Sequence, residues 1–307
     1  MNNFFTKETQ LVKFPIFLPI IYITILYLFP NFETQLVFIT ILILAETHFA
    51  ATWPFFLNKV NFDYIKGNKF HLIYTPIMLT SFCIIGFFYF KNLFLLIFFA
   101  ANVYHVTRQS YGVMNLYTKK LEERKSWAKI IYLFNFIFFI IAFFRFYIPL
   151  IHNEHLLILN FFMILSIIFV LYLQIKKFAF SENILTLITG VLIFYPVCFV
   201  DNPVHAIIMG VTMHYTQYLY LTSKVMKNRN KDEKNLLQNN LNSFWIIIII
   251  YASIMSILSI LGKNESDFLK SLIFIPITGQ MLHFYLDSQL WKFSIDHNRE
   301  NILKYLK

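Results

Sequence analysis

The chain has 307 residues, of which 58% are hydrophobic, 20% aromatic and only 14% charged. This composition excludes a soluble globular domain of ordinary make-up. The formal net charge of +10 does not indicate nucleic-acid binding, because no recognition fold accompanies it and the basic residues lie mainly in the loops between apolar stretches.

Ten stretches of roughly 17 to 25 mostly apolar residues are each long enough to cross a bilayer as a helix. A barrel strand needs only about 10 residues of alternating polarity, so these long runs predict helices. We therefore predict an all-α, polytopic transmembrane helical bundle of about ten spans, in which residues 1–307 form a single integral membrane domain. In chain order, the predicted spans are 14–30, 35–57, 70–90, 92–114, 129–150, 155–175, 183–200, 203–223, 243–262 and 271–291.

Lysine and arginine mark one side of the predicted bundle. They lie before span one, between spans two and three, and after spans four, six, eight and ten, whereas the opposite loops are short and mostly acidic. By the positive-inside rule both termini are cytoplasmic. We expect a multi-pass protein of the cell inner (plasma) membrane, in contact with membrane lipids, whose longest cytoplasmic loop is the basic, Asn-rich stretch 224–242.

Span two carries a glutamate and a histidine within a mostly apolar run. Glu46 and His48 are two positions apart, about 200° around a helix, so both cannot face one point. We predict His48 as a metal ligand and Glu46 as an acceptor for a histidine of another helix. Pro54 removes a backbone hydrogen bond and is expected to kink the helix just past His48.

Span four contains the most polar stretch in any predicted span, Tyr104 to Gly112. His105, Arg108 and Gln109 follow the spacing of one helix face. Ionisable groups inside a bilayer are rare and usually functional, so we predict His105 as a ligand. Arg108 is expected to pair with Glu46 or Asp287, or to extend toward the cytoplasmic interface.

Span eight carries two histidines. His205 lies close to the outer boundary, where an interfacial role is expected, and the sequence leaves open whether it joins the site. His214 lies deeper, with Gln217 one turn below it. We predict His214 as a ligand.

In span ten, Gln280, His283 and Asp287 share one helix face, because they are spaced by three and four residues. The helix thus places the imidazole of His283 and the carboxylate of Asp287 side by side. The sequence leaves two roles open for Asp287: it either ligates a metal itself or orients a histidine, as carboxylates beside metal sites commonly do.

The four predicted ligands share one depth. Each lies 11 to 13 residues past the outer boundary of an even-numbered span, or roughly 17 to 20 Å down at 1.5 Å per residue. Imidazole is the commonest metal ligand among side chains. The sequence therefore predicts an intramembrane metal centre held by His48, His105, His214 and His283.

Imidazoles with a carboxylate nearby suit iron(II), copper or zinc. Zinc would suit hydrolysis, but the chain shows no separate acid–base constellation. A metal that activates dioxygen fits the apolar, aromatic surroundings better, so we predict Fe(2+) and an oxygenase acting on a lipophilic small molecule. Asp287, Glu46 and Arg108 are predicted to assist catalysis. The predicted outer-shell or pocket residues are Gln109, Gln217, Gln280, Tyr104, Tyr111 and Tyr215, and Tyr218 and Tyr285 could also line the pocket.

The motifs Thr47-His48-Phe49-Ala50, Tyr104-His105-Val106-Thr107, Met213-His214-Tyr215-Thr216 and Leu282-His283-Phe284-Tyr285-Leu286-Asp287 resemble those of the bacterial membrane-bound beta-carotene 15,15'-dioxygenase family (Brp/Blh). The resemblance implies non-haem iron held by histidines of several membrane helices, with His283 as a fourth ligand or pocket residue. The family pairs its first two histidines with a later aspartate, where this chain has Thr52 and Gln109. It has a second histidine in its third motif, where this chain has Tyr218.

Two other functions would use the same residues. A haem-binding or electron-transfer membrane protein clamps haem between histidines of neighbouring helices, and four histidines at one depth would require two haems. A transporter could instead use the His, Glu, Asp and Arg side chains as a proton relay without any metal. Visible absorption distinguishes the haem protein, and metal analysis distinguishes the oxygenase from the transporter.

Overall fold

A computed structural model describes residues 6–56, 59–232, 241–262 and 270–306. Within these ranges the chain is helical and contains no strand, which confirms the predicted all-α class. Residues 233–240 of the predicted loop 224–242 lie outside the described ranges. The α-helices, numbered here in chain order, are α1 (Phe17–Leu28), α2 (Glu33–Thr40), α3 (Thr47–Ala50), α4 (Trp53–Phe56), α5 (Lys59–Gly67), α6 (Thr75–Tyr89), α7 (Lys91–Tyr117), α8 (Leu121–Ala142), α9 (Leu156–Phe178), α10 (Ile184–Leu192), α11 (Pro203–Asp232), α12 (Leu241–Leu261), α13 (Phe274–Leu290) and α14 (Asp296–Asn301).

Five helical segments in the described part of the chain have the length and hydropathy of a membrane span. Each combines at least 18 residues with few charged side chains, and a shorter apolar helix is α1. Five is fewer than the ten spans predicted from the sequence, although every predicted span overlaps helical structure. The five segments are Pro30–Phe56, Phe70–Tyr89, Leu121–Tyr147, Leu156–Phe178 and Asn242–Leu261.

The predicted seventh span, 183–200, is not one continuous helix. Helix α10 ends at Leu192 and a short 3-10 helix, Tyr195–Cys198, follows it. Pro196 has no amide hydrogen and cannot continue the α-helical hydrogen bonding. With nine residues, α10 is about 14 Å long, less than half the thickness of the hydrocarbon core.

Helix α9 illustrates why these helices belong in a membrane. Its mean hydropathy is 2.8 and only 11% of that stretch is buried by the rest of the protein. Leu157, Phe162 and Phe169 are 81%, 61% and 61% exposed. Apolar surface of this extent indicates contact with lipid, because a soluble monomer rarely exposes a large contiguous apolar patch.

The chain divides into two compact units. Unit 1 comprises Met1–Val37 and Val106–Gln217, and in it α10 packs against α8, where the buried Asn135 donates a hydrogen bond of 2.9 Å to the Gly190 carbonyl. Unit 2 comprises Phe38–His105 and Tyr218–Lys307, and in it α12 packs against α3 and α13 packs against α6.

Candidate metal centre

The helix that carries His48 is irregular on both sides of that residue. A π-helical turn, Ile41–Glu46, precedes α3, and a turn at Ala51 and Thr52 interrupts the helix before α4 begins. The interruption falls just before Pro54, which has no amide hydrogen to donate. Such π-turns and breaks are frequent at functional sites. His48, which precedes the break, and Thr52, which lies within it, are both fully buried.

Three of the four predicted ligands come together within unit 2. His48, His105 and His283 are buried, with 0%, 6% and 0% of their surface exposed. The centroid of the His283 ring lies 4.6 Å from that of His48 and 4.9 Å from that of His105, and the His48 and His105 centroids are 6.3 Å apart. The three imidazoles therefore form one cluster, although they come from three separate predicted spans.

The His48 and His105 rings are close to coordination geometry. A ring nitrogen of His48 lies within 4.8 Å of a ring nitrogen of His105. Two imidazole nitrogens that share an ion at about 2.1 Å each can be about 4.2 Å apart at most. Small side-chain rotations would therefore bring this pair onto a common ion.

Aromatic side chains surround the three imidazoles. The Phe284 ring stacks on His105 at a centroid distance of 4.6 Å, and the Phe49 ring meets His283 edge-on at 5.2 Å. Three imidazoles gathered in one place form a donor set that suits a transition metal, since imidazole nitrogen is a good ligand for iron, copper, zinc and nickel.

Hydroxyl groups connect the cluster to a carboxylate. The Thr52 hydroxyl is 2.8 Å from His283 Nδ1 and 2.8 Å from the Tyr218 hydroxyl. The centroid of the Tyr218 ring lies 4.5 Å from that of His48, and the Tyr218 hydroxyl also hydrogen-bonds the Asp287 carboxyl. All these contacts lie within unit 2.

Glu46 is buried beside the helix that carries His283. It is 1% exposed and accepts a hydrogen bond of 3.3 Å from the Gln280 side chain. Gln280, His283 and Asp287 share one face of α13, as their spacing predicts. The structure thus associates three of the predicted outer residues, Glu46, Gln280 and Asp287, with the same part of unit 2.

The other predicted residues of span eight belong to unit 1. His214, Gln217 and Tyr215 are buried, and the Gln217 amide donates a hydrogen bond of 2.6 Å to the Val12 carbonyl. Gln217 therefore anchors the N-terminal segment of its own unit. His214 stays the sequence's prediction for a further ligand.

The polar residues of α7 divide between exposed and buried positions. His105 is buried, whereas Arg108 is exposed and Tyr104 is 58% exposed. Gln109 and Tyr111 are half-buried, and the Tyr111 ring lies 6.0 Å from that of Tyr132. The helix thus presents the guanidinium of Arg108 to its surroundings and does not bury it.

His205 has its own partners in unit 1. Its Nδ1 lies 2.7 Å from the Tyr22 hydroxyl, and its Nε2 lies 2.7 Å from a Glu33 carboxylate oxygen. Both ring nitrogens are thereby engaged, although the residue is 3% exposed. These contacts are those of a structural histidine near the end of a helix.

Thr52 was not among the predicted site residues, and Tyr218 was predicted only as a pocket residue. A spacing signal existed for both. His48 precedes Thr52 by four residues and His214 precedes Tyr218 by four, as His283 precedes Asp287. Residues four apart lie on one helix face, so this spacing marks Thr52 and Tyr218 as candidate site residues without indicating which groups they bond.

Comparison with protein-family models, with curated proteins and with solved structures finds no match to this chain.

Proposed function

We propose that the protein is an intramembrane metalloenzyme that holds one transition-metal ion, iron(II), in the histidine cluster of unit 2 and oxidises a lipophilic molecule. The observation that carries the proposal is the convergence of His48, His105 and His283, three buried imidazoles with ring centroids 4.6 to 6.3 Å apart. His214 is proposed as a further ligand on the sequence prediction alone.

An ion fits this arrangement better than a haem. Two axial histidines face each other across a flat macrocycle, whereas here the His283 ring makes an edge contact with both of the other imidazoles. Phe49, Phe284 and Tyr218 also pack directly on these rings. Such packing supports a small ligand held at one point.

Iron bound by neutral imidazoles would supply activation of dioxygen, which is itself apolar and partitions into lipid. The chain's own residues would do the rest. The aromatic rings around the cluster would exclude water and contact a hydrocarbon substrate, and the Asp287 carboxyl would be held near the ligands by Tyr218. Carotenoids and unsaturated acyl lipids are the substrate classes that match these surroundings and the resemblance to the carotenoid dioxygenases.

We further propose ten membrane spans with both termini in the cytoplasm of a cell whose inner membrane holds the protein. Two side-chain pairs near the predicted membrane boundaries support this topology. Lys13 and Glu182 are 3.0 Å apart and both lie in segments predicted to be cytoplasmic. Glu33 and His205 are 2.7 Å apart and both lie near the predicted outer surface.

Metal analysis of the protein purified in detergent tests the proposed centre. The wild type is expected to retain a single transition-metal ion per chain, and His48→Ala and His105→Ala are expected to lose it. His205→Ala is the matched control, because His205 is also buried but is bonded to Tyr22 and Glu33. A wild type without stoichiometric metal, or His105→Ala with unchanged metal, would overturn the proposal.

A second experiment separates an oxygenase from a protein that only binds metal. Iron-loaded protein in detergent is incubated with a carotenoid or an unsaturated lipid under isotopically labelled dioxygen, and the products are examined by mass spectrometry. Label in the product, absent with His105→Ala, is expected. Metal retention without label in either substrate class would reject the oxygenase assignment and keep the metal centre.

A further inference from the structure

A chain of buried hydrogen bonds runs from one imidazole of the cluster to a carboxylate. It begins at His283 Nδ1, which lies 2.8 Å from the Thr52 hydroxyl, and continues to the Tyr218 hydroxyl, 2.8 Å from that of Thr52. The Tyr218 hydroxyl in turn hydrogen-bonds the Asp287 carboxyl. The four side chains are between 0% and 4% exposed. Water therefore has little access to any link.

The end groups of this series, His283 and Asp287, decide which atom donates in each of its hydrogen bonds. An ionised carboxylate only accepts hydrogen bonds, and a hydroxyl donates only one. With Asp287 ionised, Tyr218 donates to Asp287 and accepts from Thr52. Because the single Thr52 hydrogen is then used, the Thr52 oxygen accepts from His283, which requires the proton of that imidazole to be on Nδ1.

We propose that Thr52 and Tyr218 are positioning residues that transmit the charge of Asp287 to His283 and hold its ring with the lone pair on Nε2, the form that ligates a metal. This inference rests on the proposed metal centre. It also assigns Asp287 the orienting role and not that of a direct ligand. Carboxylates commonly fix a metal-bound histidine through one direct hydrogen bond; here two hydroxyls lie between them.

Co²⁺ binding to the purified protein tests the relay, with visible absorption as the readout of imidazole coordination. Thr52→Val keeps the shape of the side chain and removes its hydroxyl, and Tyr218→Phe removes the next link. Each is expected to weaken Co²⁺ affinity about 10- to 100-fold, the usual effect of losing a hydrogen-bonding partner of a ligand. The variant with both substitutions should bind Co²⁺ only slightly more weakly than either single variant, because each single substitution already interrupts the same relay.

Two controls separate positioning from structure. Thr52→Ser restores the hydroxyl and should recover nearly all of the affinity. Thr222→Val is the matched replacement, since Thr222 is fully buried and its hydroxyl bonds the Tyr218 backbone carbonyl at 2.8 Å; it should leave Co²⁺ affinity and the spectrum unchanged. If Thr52→Val does not fold, Tyr218→Phe breaks the same relay.

The outcomes distinguish the two proposals. A wild type that binds no Co²⁺ overturns the metal centre itself. A wild type that binds Co²⁺, with Thr52→Val and Tyr218→Phe equal to it in affinity and spectrum, overturns the relay and leaves the metal centre standing. Loss of affinity in Thr222→Val as large as in Thr52→Val would also overturn the relay, because the effect would then not depend on the bonded hydroxyl.

Discussion

Gly210 of α11 lies against the backbone carbonyl of Ile193, so closely that a Cβ added to Gly210 would overlap the carbonyl oxygen. The glycine therefore allows α11 to approach the end of α10 within unit 1. Small residues serve this purpose where membrane helices cross. The obstacle is backbone, which cannot rotate away as a side chain can.

Gly210→Ala is accordingly expected to destabilise the protein by about 3 kcal/mol, the upper end of the usual cost of overpacking. Gly112→Ala is the matched control, because a Cβ at Gly112 of α7 would meet nothing within 4 Å. Thermal unfolding of both variants in detergent measures the difference. Equal melting temperatures for the two would contradict the close approach.

Arg108→Ala is expected to leave the bound metal unchanged. The Arg108 side chain is exposed, whereas His105, three residues earlier on α7, is buried. Metal analysis beside His105→Ala checks this, since only the histidine variant should lose the ion. Loss of metal from Arg108→Ala would instead show that the guanidinium supports the centre.

Glu182 should make stability depend on pH. Hydrogen bonds from Lys13 and Thr9 hold the pKa of the Glu182 carboxyl below its ordinary value of 4.5. A carboxyl with a lowered pKa in the folded protein stabilises it fully above the unfolded-state pKa, and this contribution is lost as the pH falls through the folded-state pKa. The stabilisation is therefore present at neutral pH and is progressively lost as the pH falls below about 4.5.

The measurement compares wild type with Glu182→Gln by thermal unfolding across this range. At neutral pH the wild type should be more stable by about 1 kcal/mol or less, as for other partly exposed ion pairs. The difference in stability should vanish in acid, where the protonated Glu182 and the glutamine that replaces it are both uncharged. A constant difference at every pH would show that the loss of packing, and not of charge, is responsible.

The helical fold was readable from the sequence because long apolar runs leave few alternatives. The meeting of His48, His105 and His283 was also predictable, because equal depth on parallel spans restricts where side chains can meet. The break in the helix at Ala51 and Thr52 was not predictable, since Pro54 indicates a kink without giving its geometry. The division of the seventh span has the same cause, a proline within an apolar run.

The roles of Thr52 and Tyr218 could not be predicted because periodicity gives the spacing of residues on one helix but not the neighbour they face. Arg108 likewise shows that spacing along a helix does not establish what a side chain faces. Its spacing from His105 predicts a shared face, yet one side chain is exposed and the other buried. Hydroxyl residues are common in membrane helices, so a threonine acquires meaning only once its partner, here His283, is known.

Helix α9 offers the sharpest test of the proposed topology, because exposed residues lie at both ends of its predicted span. Glu154 precedes the helix with 77% of its side chain exposed, and Phe180 follows it with 62% exposed. The native cysteines, Cys83 and Cys198, are buried, so the unmodified chain serves as the unlabelled control. In intact spheroplasts a membrane-impermeant maleimide should label Glu154→Cys and should reach Phe180→Cys only after lysis. The reverse pattern would invert the predicted orientation, and labelling of both before lysis would mean that α9 does not cross the membrane.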